Sequence, residues 1–127
     1  MNVFEASSIK CYEEDGVLVV AVGDDPVDPR NYMIITRLDD EDNLTVDDGI
    51  GFQTADAQYE MAGAIKKVLL DENGLRVDVK PEFVGHFGGV TTCAKFNNQT
   101  LCQHAHIAYL RNALRAIFDG SKIEFVC

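Results

Sequence analysis

The first three quarters of the chain alternate between short apolar segments and polar breaks, a rhythm that predicts strands. Only the last quarter repeats at helical spacing. Val3 to Tyr12 is a mixed segment that alternates in part, and Val17-Leu18-Val19-Val20-Ala21-Val22 is a continuous apolar run. A run of that kind suits a central strand buried on both faces. Between the two, Glu14-Asp15-Gly16 carries the Asp-Gly signal of a tight hairpin. Tyr32 to Leu38 predicts the next strand. It follows Asp25-Pro26-Val27-Asp28-Pro29, whose prolines cannot donate to a ladder.

Ile50 to Thr54 predicts a short strand, and residues 55–64 an extended segment or turn. Ile65 to Leu70 and Leu75 to Val79 flank Asp71-Glu72-Asn73-Gly74, where Asn-Gly between alternating apolar runs is the strongest hairpin signal in the chain. One helical turn within Pro81 to Gly89, and a strand over Val90 to Phe96, precede the single long helix. Thr100 with Gln103 three residues later forms a capping-box pattern. Ile107, Leu110, Leu114, Ile117 and Phe118 then recur on one helical face. Gly120 marks the stop, and Ile123 to Val126 adds a last short strand. The class expected is α+β: a mainly antiparallel β-sheet of about six to eight strands, with one C-terminal α-helix packed on one face. Its 127 residues form one domain, 1–127.

Charge changes the picture. Residues 1–60 hold 15 Asp and Glu against three Lys and Arg, whereas residues 61–127 hold six against eight. The acids cluster in breaks between strands: Glu13-Glu14-Asp15, Asp24-Asp25 with Asp28, Asp39-Asp40-Glu41-Asp42, and Asp47-Asp48. Acid-tipped loops suit a basic protein partner, and Asp24, Asp25, Asp39, Asp40, Glu41, Asp42, Asp47 and Asp48 are the expected contact residues. The basic residues are dispersed, which argues against nucleic acid. No apolar stretch is long enough to span a bilayer as a helix, and the first residues lack a secretory pattern, so a cytoplasmic protein away from membranes is expected.

Candidate chemistry is sparse. Cys102, His104 and His106 are the first place to look for a metal, because Cys102 and His106 are four apart and would share a helical face. His86 or Cys93 would be needed to complete a zinc set. The cluster supports an alternative reading as a metal-binding protein or metal-dependent enzyme, yet it lacks the paired spacing of a CxxC motif. The loop Asp39 to Asp48 lacks the Gly and Glu positions of an EF-hand. Gly85-His86-Phe87-Gly88-Gly89 lacks the Lys-Ser/Thr of a phosphate loop. No cofactor is expected, no catalytic residue is assigned, and an enzyme is not the expected reading. A homodimeric module, joined through an open sheet edge or apolar patch, is a third reading.

Three stretches carry a family likeness: Glu14-Asp15-Gly16-Val17-Leu18-Val19-Val20, Tyr32-Met33-Ile34-Ile35-Thr36-Arg37, and the Gly63 segment leading into the hairpin from Ile65 to Val77. With a terminal helix ending at Ile117-Phe118-Asp119-Gly120, the chain resembles the immunity protein 10 family of bacterial polymorphic-toxin systems. Thr36 stands where that family carries Gln. The resemblance implies a cytoplasmic protein that binds and neutralises a cognate toxin domain and has no catalysis of its own. Acidic loops would meet a basic toxin groove, with Tyr32, Phe52 or Tyr59 as aromatic anchors.

Overall fold

The computed structural model describes residues 2–57, 59–97 and 104–127, with side chains from residue 107 onward in the helix. The protein is α+β, and the described residues form ten strands in two five-stranded sheets with a C-terminal helix. The strands are β1 Asn2–Ala6, β2 Ser8–Glu14, β3 Val17–Gly23, β4 Tyr32–Leu38, β5 Ile50–Thr54, β6 Met61–Ala62, β7 Ile65–Asp71, β8 Gly74–Val79, β9 Thr91–Phe96 and β10 Glu124–Val126. The α-helices among the described residues are a single turn, α1 Val84–Phe87, and the long α2 His104–Phe118. Sheet I runs β2-β3-β4-β5-β6 and is antiparallel throughout. Sheet II runs β1-β9-β8-β7-β10, with β1 parallel to β9 and β10 parallel to β7.

The expectation of one sheet gives way to two because a single residue divides the first apolar segment. Val3 to Tyr12 is split at Ser7, whose N–H bonds the Gly23 carbonyl at 2.9 Å and whose hydroxyl bonds the Asp24 carbonyl at 2.8 Å. The chain thus leaves sheet II at Ala6 and enters sheet I at Ser8. Alternation alone does not reveal such a transfer, since both halves keep a period of two.

Both hairpin signals mark real turns, by different physics. Asp15 (φ 53°) and Gly16 (φ 81°) form a left-handed two-residue turn between Glu14 and Val17, the conformation that Asp-Gly favours. At Asp71–Gly74, neither Glu72 nor Asn73 adopts positive φ. There the Asp71 carboxylate accepts from the Asn73 and Gly74 N–H groups at 2.8 and 3.0 Å and builds the turn itself. Gly74 is required for another reason: a Cβ would lie 2.4 Å from the Ala94 carbonyl of the neighbouring strand.

The core draws on both sheets and the helix. Sheet I contributes Val20, Val22, Met33, Ile35, Ile50 and Phe52, and sheet II contributes Val68, Leu70, Leu75, Val77, Val79 and Ala94. Helix α2 packs on β2 and β3 and buries Leu110, Leu114, Ile117 and Phe118, the stripe that its spacing predicts. Phe118 meets Phe125 of β10 with ring centroids 5.3 Å apart, which ties the helix end to sheet II. The Phe52 and Phe87 rings lie 5.0 Å apart and join sheet I to α1. The Thr100 capping box lies outside the described residues.

The last turn of α2 is closed by a residue from sheet I. Arg37 of β4 has a side chain only 12% exposed, and its Nη1 donates to the carbonyls of Ala116, Ile117 and Asp119 at 2.9, 3.0 and 2.7 Å. These are the carbonyls that a helix leaves unbonded at its C-terminus, where a cation also suits the dipole. Asp39 accepts from Arg37 Nε at 3.0 Å and orients the fork.

Candidate protein-binding site

The expected acidic residues all project from the two ends of sheet I. At one end lie the β2–β3 turn and the β4–β5 connection, which carries Asp39 to Asp42 and a 3-10 turn, Val46–Gly49. At the other end lies the β3–β4 loop with Asp24 and Asp25. The strands between are seven residues long, so the two sets stand about 20 Å apart. The fold therefore brings Asp39, Asp40, Glu41, Asp42, Asp47 and Asp48 together and holds Asp24 and Asp25 apart from them.

Most of these carboxylates also build their own loops. Asp24 accepts from the Arg30 and Asn31 N–H groups and from Asn31 Nδ2 at 2.9, 3.2 and 3.1 Å, closing the β3–β4 loop across seven residues. Partial desolvation pushes the Asp24 carboxyl up, but these hydrogen bonds, led by the Asn31 side chain, outweigh it and the net direction is down. Asp25 accepts from the Val27 and Asp28 N–H groups at 2.8 and 3.0 Å, and its carboxyl is lowered by those of Asp28 and Val27. Asp40 accepts from Asp42 N–H at 2.9 Å. Asp48 and Thr45 form a reciprocal capping box. Asp47 accepts from the Lys122 N–H at 3.0 Å, which pins the 3-10 turn to the segment after α2. Glu41 and Asp42 are exposed at the loop tip.

The aromatic anchor candidates separate. Phe52 is fully buried, so it is a core residue and not an anchor. Tyr59 is 58% exposed, and its ring lies 4.8 Å from His86, whose Nε2 is 2.8 Å from the Tyr59 carbonyl oxygen. Tyr32 is half-buried on the outer face of sheet I.

That outer face is the feature sequence reasoning missed. The run Val17 to Val22 does lie in a central strand, but only its Val20 and Val22 side chains are in the core. Val17, Val19 and Ala21 point to the opposite face, where they are half-covered, beside Ile34, Thr36 and Leu38 of β4. The signal was present in β4: Tyr32, Ile34 and Leu38 make its second face largely apolar too.

Of the metal candidates, Cys102 lies outside the described residues, as do the side chains of His104 and His106. Among the described residues no group of three His, Cys, Asp or Glu is placed to hold a metal ion. Burial raises the Cys11 thiol to about 11, so it stays protonated near neutral pH. No described helix is long and apolar enough to cross a membrane. No protein-family model matches the sequence, and no curated protein is similar to it.

Proposed function

We propose that the protein works by binding rather than catalysis: an immunity protein that neutralises a cognate basic toxin domain through the acidic ends of sheet I. The observation that carries this reading is segregation. Fourteen of the 15 acids in residues 1–60 lie within or beside sheet I, and Glu5 of β1 is the exception. Such a one-sided field steers a basic partner and raises its association rate. Asp24, Asp25, Asp40, Asp47 and Asp48 are held by loop hydrogen bonds before any partner arrives, so little ordering entropy is lost there on binding. Both acidic ends fit inside one interface of ordinary size, about 800 Å² per partner. The resemblance to the immunity protein 10 family supplies the type of partner, and a cytoplasmic site of action follows from it.

The test is to seek a toxic domain among the genes beside this one and to co-express the two. Wild-type protein is expected to restore growth. Asp39→Lys, Asp40→Lys, Glu41→Lys and Asp42→Lys together are expected to slow association about tenfold or more at low salt, and less as salt rises. A wild-type protein that neither protects nor binds would sink the reading.

A further inference from the structure

The outer face of sheet I is apolar where the fold does not require it. Sheet II sets a charged side chain on the outer face of every strand, with Lys67, Arg76, Asp78, Lys95, Glu5 and Glu124 standing among Val3, Cys93, Leu69 and Val126. On sheet I the corresponding positions are Val17, Val19 and Ala21 on β3 with Ile34 and Leu38 on β4, flanked by Tyr12 of β2. Tyr12 is 47% and Leu38 43% exposed. The β3–β4 loop and the 3-10 turn stand over its two ends, and α2 packs on the other side. Two clefts open on it. One, about 230 Å³, is walled by Ala21, Ile34, Pro26, Val27 and Pro29. The other lies between Val17, Thr36 and Leu38 and the 3-10 turn.

Charge selects the occupant. Asp25 borders the first cleft, and Asp48 and Glu60 border the second, where Glu60 lies over Gly51 and accepts from the Thr36 hydroxyl. Lys10 is the one cation at either cleft among the described residues, and its Nζ is bonded to the Pro26 carbonyl at 2.7 Å. Arg37 points the other way, onto the helix. A second copy would set these carboxylates against themselves. A protein with an apolar centre and a rim of Lys and Arg would be complementary at every point.

We infer that the outer face of sheet I, centred on Val19, Ala21 and Ile34, is the docking surface for such a partner, with the acidic ends as its rim. The inference rests on the proposed function for the partner's identity. It differs in placing the affinity on the apolar strip and leaving the loops to set the rate. Buried apolar centres carry most binding energy, whereas rim charges act on association.

The experiment measures binding of the toxin domain sought in that test by the Val19→Lys/Ile34→Lys double variant, with circular dichroism as the folding control. Dissociation is expected to accelerate by at least about thirtyfold, while the four loop reversals change mainly the association rate. If the face variant folds and binds as wild type does, the docking surface is overturned and the proposed function survives. If lysine prevents folding, Val19→Thr/Ile34→Thr replaces it with the same expectation. If wild-type protein does not bind the toxin, the proposed function fails. The face is then judged by NMR titration with a synthetic alternating Lys-Leu peptide. Shifts centred on Val19, Ala21 and Ile34 support it, and shifts confined to the loops overturn it. A dimer in sedimentation that Ile34→Lys dissolves would overturn the choice of partner.

Discussion

Sheets I and II have the same number of strands and share one core, yet they differ in where their outer faces carry charge. Sheet II places at least one charged side chain on the outer face of each strand, among Val3, Leu69, Cys93 and Val126. Sheet I keeps apolar residues on both faces of its two central strands and moves its charge to the loops at their ends. Val20, Val22, Met33 and Ile35 fill the inner face, while Val19 and Ile34 lie half-covered on the outer one.

The largest expected effect separates the two faces of sheet I. Phe52→Ala, on the inner face, should cost about 3–5 kcal/mol in urea denaturation, because it empties a ring-sized space against Phe87. Ile34→Ala, on the outer face of the neighbouring strand, should cost about 1 kcal/mol or less. Equal losses would mean that the outer face belongs to the core after all.

Arginine sharpens the comparison between sheets. Arg37→Ala removes a nearly buried cation from three helix carbonyls and should cost about 2–3 kcal/mol, with little dependence on salt. Arg76→Ala in sheet II removes an exposed side chain paired with Asp78 at 3.2 Å and should cost under about 1 kcal/mol. Thermal unfolding of the two variants at low and high salt checks both.

The smallest effect is a local one, in the β3–β4 loop. The Asp24 and Asp25 carboxyls are lowered from their ordinary value of 3.8. Their charged forms therefore stabilise the loop above the unfolded value, and that contribution is lost as pH falls through the lowered folded values. Amide protection at Val27, Asp28, Arg30 and Asn31 should fall away in that acid window. It should already be weak at neutral pH in Asp24→Asn/Asp25→Asn. Protection that persists below the window would assign loop order to Pro26 and Pro29 instead.

Much of the fold was legible in the chain. The apolar runs, the Asp15-Gly16 turn and the stripe from Ile107 to Phe118 marked their elements because those signals are local. The transfer between sheets at Ser7, the parallel pairs at β1–β9 and β10–β7, and the partnership of Arg37 with α2 were not legible, since each joins residues distant in sequence. The acidic residues were legible as loops. Their double use was not: Asp24, Asp25, Asp40 and Asp48 look like surface charge but also supply the hydrogen bonds that shape the loops. Phe52 was a candidate anchor by residue type, and only packing placed it in the core.

By itself the sequence determined the strand-rich α+β class, the terminal helix and the concentration of negative charge in residues 1–60, because propensity, period and composition are properties of neighbours along the chain. Only the tertiary structure decided that this charge divides between two ends of one sheet, and that a run suited to burial on both faces is covered on one. Pairing and layering bring together residues 80 and more positions apart, as Arg37 and Ile117 or Tyr109 and Cys11 are, and no local pattern encodes which surface they leave open.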